Sequence, residues 1–290
     1  TKTSFRCETR AGEPVRVFAL WTGLIGGLEM DGRLNDLSAI PDATPRDIET
    51  LLAVLACGAR RIERVEMSFG TVWVKRYGTE KPIVWTHAQN ALARLFRKPF
   101  LRASPRLDRK AMVDREVRRL EAFAAEGLPV PKVLYRSDSA LVLSDAGPTI
   151  GMRLGTLKSA DPARHDALLV ACAADLGSVH ALNLCHGRPH PRDLFLENGR
   201  VGYMDFEEEP EAAMPLPAAQ ARDLWLLFLQ LVPSALDGET TAGRALSAWM
   251  ESAPGDALSE LCLLVAFLAK FLWLTRLIGR VHMSSDLRRF

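Results

Sequence analysis

"HGRPHPRDLFLENGRVGYMDFE", residues 186–207, is the stretch of sequence that decides the fold. It consists of a polar loop, two short apolar runs separated by Asn198-Gly199, and an Asp-Phe pair that begins at Asp205. An Asn-Gly pair between apolar runs is a strong local signal for a β-hairpin with a tight turn. We therefore expect Asp193, before the first strand, and Asp205, after the second, to lie at the same end of two adjacent strands.

The segments upstream of this loop predict a helix followed by two strands. "TPRDIETLLAVLACG", residues 44–58, has Thr44 as a cap, Pro45 at the first helical position and Gly58 past the end, which predicts a short helix. "RIERVEMSFGTVWVKRYG", residues 61–78, alternates with a period of two about Phe69-Gly70. This alternation predicts two strands joined by a tight turn, with Lys75 near the end of the second strand.

The pattern after residue 108 changes from helix to strand and then to helix again. "DRKAMVDREVRRLEAFAAEG" predicts an amphipathic helix that stops at Gly127, with an apolar face of Val113, Val117, Leu120 and Ala124. Residues 128–147 read as further strands with turns, and the chain from about residue 160 is almost wholly helical in pattern. A sheet-rich first part and a helical second part predict an α+β fold.

Taken together, these elements resemble the protein-kinase-like superfamily, specifically its small bacterial branch of lipopolysaccharide core and Kdo kinases and aminoglycoside phosphotransferases. The family's active loop runs H-G-D-x-H-x-x-N and is followed by an acidic D-F motif. "HGRPHPRD" and "MDFE" stand in those places here. The resemblance involves residues from about 58 to 275. It implies a two-lobed fold, with an N-terminal lobe of residues 1–144 that carries a basic insertion near 82–110, and a helical C-terminal lobe of residues 145–290.

The resemblance implies a role for each matching residue. In the family, a strand lysine holds the donor phosphates and pairs with a glutamate on the following helix; Lys75 and Glu116 match them. Asp193 falls at the family's metal-binding asparagine and Asp205 at its metal-binding aspartate. Two hard oxygen ligands close together suit Mg²⁺ that bridges the phosphates of ATP. Asp223 resembles a buried aspartate that braces the loop, which is a structural role.

Arg188 departs from the family pattern, because it replaces the loop aspartate that accepts the proton of the acceptor hydroxyl. A guanidinium cannot act as a base. General-base assistance is worth about 10²–10⁴-fold, whereas positioning and charge stabilisation carry most of phosphoryl transfer. The replacement therefore predicts a slow enzyme rather than a dead one. Arg188 is a candidate to neutralise the transferring phosphate or to anchor an anionic acceptor, as arginine forks do well.

Trp73 is the second departure from the family. Residues two apart in a strand share a face, so Trp73 points the same way as Lys75. The family has a small residue here, against the adenine ring, and an indole would fill part of that pocket or force the base to stack differently. "TGLIGG", residues 22–27, is too distant from Lys75 to serve as a phosphate loop, and we interpret it as a flexible turn. These features keep a pseudokinase hypothesis open.

The segment "RLFRKPFLRASPRLDRK", residues 94–110, contains seven basic residues and one acid, Asp108. Leu95, Phe96, Phe100 and Leu101 are interspersed among the charges. Basic charge with apolar anchors is what an anionic membrane surface or a phosphorylated glycolipid attracts. The alternative is a solvated loop whose hydrophobic residues dock on the small lobe. Nucleic acid is not expected as a partner, because no recognised binding module accompanies the charge.

Two further groups near the loop have competing interpretations. His186 and His190 brace the loop or bind a metal, and the absence of another cysteine or histidine at zinc-ligand spacing favours bracing. His180 lies in an apolar helical context and is interpreted as a packed, hydrogen-bonded residue. Glu208 and Glu209 are interpreted as solvated surface. For Glu207, a surface role and an additional metal carboxylate both stay open.

The composition is that of an ordinary globular chain, with 48% hydrophobic and 25% charged residues and a formal charge of +2. The five cysteines are odd in number and form no C-x-x-C pair, which suits a reducing cytosol. The most apolar segment, residues 261–279, is interrupted by Lys270 and Arg276 and reads as a buried helix rather than a membrane span. The expected location is cytoplasmic, with peripheral attachment to the inner face of the membrane left open.

Three function hypotheses follow. The first is an atypical ATP- and Mg²⁺-dependent phosphotransferase that resembles lipopolysaccharide core kinases and acts on a membrane-associated or glycolipid acceptor. The second is a pseudokinase that binds a nucleotide, lipid or protein partner without phosphotransfer. The third is a protein kinase that acts on serine or threonine.

Overall fold

The structure, a computed structural model, describes residues 6–8, 14–16, 37, 40–78, 83–105 and 107–270. Its architecture is mixed α+β, which confirms the predicted fold class. The chain divides into two compact units. The first holds the described residues up to Gly78 together with Lys132–Asp145, and the second holds the remainder. Residues 83–131 thus group with the helical second unit, whereas the resemblance implies that they belong to a first lobe of residues 1–144.

The first unit is built on an antiparallel sheet. The described strands of this unit are β1 (Arg6–Glu8), β2 (Pro14–Arg16), β3 (Ile62–Met67), β4 (Gly70–Arg76), β5 (Val133–Arg136) and β6 (Ala140–Ser144). The last four form one sheet in the order β3-β4-β6-β5, and β1 pairs with β2 separately. The predicted turn at Phe69-Gly70 is confirmed, because β3 and β4 pair in antiparallel register from Met67↔Gly70 to Ile62↔Lys75.

A helix, α1 (Pro45–Cys57), packs on one face of this sheet. Its predicted start is confirmed, since the Thr44 hydroxyl accepts from the Asp47 N–H while the Asp47 carboxylate accepts from the Thr44 N–H at 2.8 Å. Leu51 of α1 shares a buried cluster with Val72 and Val74 of β4. Because side chains alternate along a strand, Trp73 and Lys75 lie on the opposite face of the sheet.

The second unit is mainly helical, as the pattern from about residue 160 predicts. Its helices are α2 (Ile83–Phe96), α3 (Arg109–Ala125), α4 (Ile150–Ala160), α5 (Pro162–Ala181), α6 (Leu216–Ser234), α7 (Gly238–Met250) and α8 (Gly255–Ala269). A two-stranded hairpin, β7 (Leu194–Glu197) and β8 (Arg200–Tyr203), lies between α5 and α6 in the chain.

Helix α3 buries most of its predicted apolar face, namely Val113, Val117 and Leu120. The prediction for Ala124 is wrong, because Ala124 is exposed and Phe123 is buried instead. The Phe123 ring packs 4.6 Å from that of Phe206 and 5.4 Å from that of Tyr203, so the larger side chain takes the inward position. The helix ends as predicted near Gly127, which has a φ of 70°.

Several sequence predictions lie outside the described residues. These are the turn at residues 22–27, most of residues 1–45, Arg106 of the basic segment, and residues 271–279 of the apolar segment. Within the part of the chain that is described, none of the helices combines the length and apolar character needed to cross a lipid bilayer.

Candidate functional site

The hairpin of β7 and β8 forms as its turn chemistry predicts. Glu197 pairs with Arg200 across the turn, and Asn198 and Gly199 have φ values of 51° and 82°. Positive φ at both central residues is what a two-residue turn matched to the twist of the strands requires. At the other end of the hairpin, the Asp193 carbonyl accepts a hydrogen bond of 3.0 Å from the N–H of Met204, the residue before Asp205. The predicted proximity of the two segments is confirmed.

Three carboxylates converge in the second unit, those of Glu116 from α3 and of Asp205 and Glu207 from the segment after β8. One ligand oxygen of each lies within 4.8 Å of the other two. Glu116 is buried, and the other two are partly exposed. Asp205 has a φ of 69°, a left-handed conformation that few residues other than glycine adopt. A compact set of carboxylate oxygens is the donor set that a hard divalent cation such as Mg²⁺ prefers.

The membership of this carboxylate cluster differs from the pair expected from the sequence. In the described part of the chain, the cluster does not include Asp193. The Oδ1 atom of Asp193 instead lies 3.4 Å from Arg192 Nε. The assignment of Asp193 as a metal ligand stays a prediction. Glu207, which the sequence left open, does join, and Glu116 approaches Asp205. The signal for Glu207 in the sequence was only its position two residues after Asp205.

The loop that opens with His186 and Gly187 is held by Asp223 of α6. The fully buried Asp223 carboxylate accepts hydrogen bonds from the backbone N–H groups of His186 and Gly187, the latter at 2.8 Å. The structural role predicted for Asp223 is confirmed. Gly187 has a φ of 96°, and a Cβ there would lie 2.8 Å from the Glu208 carbonyl oxygen. Both the backbone conformation and the close approach therefore require glycine.

The two loop histidines brace the backbone, as the sequence favours. His186 Nε2 donates to the Met204 carbonyl at 3.0 Å, so the proton is on Nε2, and the ring packs 4.9 Å from that of Phe206. Burial lowers the pKa of His186, which is neutral near pH 7. His190 Nδ1 accepts from the Arg192 N–H at 3.1 Å. His180, a helix residue, accepts at Nδ1 from the Trp249 indole at 3.0 Å, which confirms its packed, hydrogen-bonded role.

Arginines from α3 and α6 clamp the acidic segment that follows Asp205. Arg222 Nη2 donates to the Gly187 carbonyl at 3.3 Å and to Glu208 at 3.0 Å. Arg118 donates to Glu209 at 2.7 Å. Glu208 and Glu209 are partly exposed, in keeping with the interpretation as surface residues, but each also pairs with an arginine, which that interpretation did not include. Their arginine partners come from other helices, so the local sequence carries no sign of them.

A further arginine ties α3 to the start of the loop. Arg119 is buried and donates to the Cys185 carbonyl and to the Glu211 carboxylate, and its guanidinium lies 5.7 Å from the centroid of the Phe206 ring. Burial raises the pKa of the Cys185 thiol well above its ordinary value, and the thiol donates to Glu211 at 3.0 Å. Arg119 thus contacts Cys185 and Glu211, which lie before and after Asp205 in the chain.

Arg188 follows the braced Gly187 and is partly exposed. Burial of the His190 ring, together with the positive charges of Arg192 and Arg188, lowers the pKa of His190. The loop therefore carries its positive charge on arginines. Such side chains contact anions well and accept no proton.

Lys75 and Trp73 belong to the first unit. Lys75 is buried in β4, and its ammonium lies 5.5 Å from the centroid of the Tyr77 ring. The indole Nε1 of Trp73 donates to Asp145 Oδ1 at 2.7 Å. The two residues share the face of β4 opposite Val72 and Val74, as strand alternation predicts.

Comparison with known proteins shows one partial similarity. Over 92 residues the chain is 38% identical to an uncharacterized protein of Haemophilus influenzae strain Rd. The aligned stretch is 32% of this chain and spans 38% of the length of the Haemophilus protein. No family model matches the chain.

Proposed function

We propose that the chain is an atypical ATP- and Mg²⁺-dependent phosphotransferase with the two-lobed protein-kinase-like fold that its motifs resemble. The observation that carries the proposal is the convergence of Glu116, Asp205 and Glu207, whose oxygens lie within 4.8 Å of one another. Their oxygens fit a hard divalent cation, and Asp205 occupies the position of the family's metal-binding aspartate.

In this proposal, buried residues of the second unit position the Asp205 carboxylate. When bound, Mg²⁺ neutralises and orients the phosphates of the nucleotide. Asp223 holds the loop at His186 and Gly187, and His186 in turn donates to the carbonyl of Met204, next to Asp205. This chain of buried hydrogen bonds would fix the direction of the Asp205 carboxylate. Asp193 remains a candidate ligand.

The proposed substrates follow from charge. Lys75 is assigned to the donor phosphates and Arg188 to the transferring phosphate or an anionic acceptor, since an arginine fork suits phosphate and cannot be a base. The acceptor class that suits this assignment is a membrane-associated or glycolipid acceptor, at the cytoplasmic face of a membrane. Without a general base we expect slow turnover.

A second candidate function is a pseudokinase that binds a nucleotide, lipid or protein partner without phosphotransfer. Two observations favour it. Arg188 stands at the position of the base, and the Trp73 indole is held by Asp145 at 2.7 Å on the same strand face as Lys75.

The test is a titration of Mg²⁺ and ATP followed by thermal unfolding. A ligand bound only by the native state raises its stability, by about 2.7 kcal/mol at a concentration 100 times its Kd. We expect a raised midpoint for the wild type and for Glu126→Gln, an exposed glutamate at the end of α3, and no rise for Asp205→Ala or Glu207→Gln. No rise for the wild type at millimolar ATP would overturn both candidate nucleotide functions.

Turnover separates the two candidates. The protein is incubated with radiolabelled ATP, Mg²⁺ and a phosphorylated glycolipid fraction, and label is measured in the lipid phase. Label that disappears in Asp205→Ala supports the phosphotransferase. A thermal rise without label in any acceptor supports the pseudokinase.

A further inference from the structure

A cavity of about 300 Å³ lies where α2 ends and the chain turns into a short 3-10 helix, Pro99–Leu101. Four of its six lining residues are cationic, and the full lining is Ala93, Arg94, Arg97, Lys98, Pro99 and Arg102. A concave site with several convergent cations suits a phosphate group.

Among the described residues, no acidic side chain neutralises the positive charge of this cavity. Within the described ranges no carboxylate forms an ion pair with any of its four cationic residues. Arg102 is instead held by a hydrogen bond of 2.9 Å to the Ala213 carbonyl. Arg97 has a φ of 49°, a left-handed conformation that ends α2 and is usually taken by glycine.

The segment that carries the cavity is anchored rather than loose. Phe100 is buried, and its ring meets that of Phe267 on α8 edge-on at 5.6 Å. The Phe96 ring meets the same phenylalanine at 5.3 Å. Asn90 accepts a hydrogen bond of 3.0 Å from the Ala103 N–H across the turn. Docking of the hydrophobic residues thus holds for Phe100, but its partner is α8 within the second unit.

Other apolar side chains next to the cavity point into solvent. Leu95, between the cationic Arg94 and Phe96, is 74% exposed, and Leu92 one turn earlier is 49% exposed. On α8, Leu263 is 50% exposed and lies one turn before Phe267, which the Phe96 ring contacts. The ring contact therefore joins two exposed apolar patches, one on each helix.

From this arrangement we infer that the end of α2 and the adjacent face of α8 form a docking surface for a bilayer that contains anionic phospholipid. The cavity receives a headgroup phosphate, and Leu92, Leu95 and Leu263 enter the interface. An interfacial membrane site has two components, namely exposed apolar side chains that enter the interface and cationic side chains that attract anionic lipid. This surface has both. Single-stranded nucleic acid calls instead for exposed aromatic platforms on which bases stack, whereas the most exposed apolar side chain of this surface is Leu95, at 74%, and Phe96 is only 36% exposed.

This inference does not depend on phosphotransfer. Vesicle binding is measured without nucleotide, so its failure would leave the proposed binding of ATP and Mg²⁺ untouched, and failure of nucleotide binding would leave the docking surface untouched.

The charge is tested by flotation of the full chain with vesicles of phosphatidylcholine alone or mixed with phosphatidylglycerol. We expect binding to the mixed vesicles only. Each Lys or Arg near an anionic surface contributes about 1 kcal/mol, so Arg94→Gln/Arg97→Gln/Lys98→Gln should lower the partition coefficient about 100-fold. The matched control Lys158→Gln/Arg164→Gln/Arg244→Gln removes three exposed charges from other helices of the same unit and should bind like the wild type.

The apolar contribution is tested by Leu95→Gln, with Met152→Gln as its control because Met152 is 65% exposed on α4. Only the Leu95 variant should lose binding, by several-fold. If the triple charge variant unfolds, the double variant Arg94→Gln/Lys98→Gln replaces it in the charge test, because it keeps Arg97 at the helix end. Equal binding to neutral vesicles, or an equal loss in the control triple, would overturn the proposal. A thermal midpoint raised by inorganic phosphate through Arg94 and Lys98, without vesicle binding, would also overturn it.

Discussion

The backbone N–H of Gly187 donates a hydrogen bond of 2.8 Å to the carboxylate of Asp223, which is completely buried on α6. The same carboxylate accepts from the neighbouring N–H of His186. One acidic side chain therefore satisfies two buried loop donors. Because His186 also contacts the carbonyl next to Asp205, the conformation of the candidate metal site depends on a residue that does not belong to it.

Asp223→Ala should destabilise the protein by about 3 kcal/mol, because hydrogen bonds to a charged group contribute about 1.5–3 kcal/mol and two buried donors lose their partner. Asp223→Asn keeps one acceptor oxygen and should cost less. Denaturation in urea at pH 7 gives both values. Glu251→Ala, at an exposed helix end, is the control and should unfold like the wild type. An Asp223→Ala midpoint equal to that of the control would refute the bracing role.

Gly187→Ala should cost more stability than Gly199→Ala. Both glycines have positive φ, so alanine carries a strain of about 1–2 kcal/mol at either position. A Cβ at Gly187 would also meet the Glu208 carbonyl at 2.8 Å, whereas nothing lies within 4 Å of a Cβ at Gly199. Overpacking adds about 1–3 kcal/mol. Equal unfolding free energies for the two variants would show that the loop shifts away from a Cβ at position 187 without loss of stability.

Arg188→Asp should reduce any phosphotransfer by about 10²-fold, as the loss of one electrostatic contact to a reacting group does. Arg188→Lys keeps the charge without the planar fork and should fall between this variant and the wild type. Initial rates with radiolabelled ATP are the measurement. A rate that rises in Arg188→Asp would mean that the arginine only displaces a general base and contacts neither phosphate nor acceptor.

Asp47 should make the first unit sensitive to acid. Hydrogen bonds from the Ser68 and Thr44 hydroxyls and from their backbone N–H groups hold the pKa of Asp47 well below its ordinary value. A carboxyl with a lowered folded-state pKa stabilises the native state above its unfolded pKa of about 3.9, and this contribution is lost as the pH falls through the folded value. The stability difference between the wild type and Asp47→Asn should therefore narrow below about pH 4.

Urea unfolding at a series of pH values measures this difference, with Glu49→Gln, an exposed change on the same helix, as the control. A difference between the wild type and Asp47→Asn that stays constant down to pH 2 would contradict the role of the ionised cap.

The elements that the sequence predicted best are those whose signals are local. The cap at Thr44, the turn at Asn198-Gly199 and the helix stop at Gly127 each depend on the backbone preferences of one or two residues, and each is found where it was expected. The sequence predicted Ala124 on the buried face of α3, but Phe123 is buried instead. Helical spacing allows both positions, and the packing of the Phe123 ring against Phe206 decides between them.

By itself, the sequence determined the α+β class and the hairpin, because turn chemistry and periodicity depend on neighbouring residues, whereas the bracing role of Asp223 was implied by the resemblance to a family. Only the tertiary structure decided which carboxylates meet, bringing Glu116 and Glu207 to Asp205, and which acids pair with arginines, namely Glu208 with Arg222 and Glu209 with Arg118. It also seated the basic segment on α8 through Phe267. Such contacts join residues far apart in the chain, and their geometry is set by the packing of whole helices, which no local pattern records.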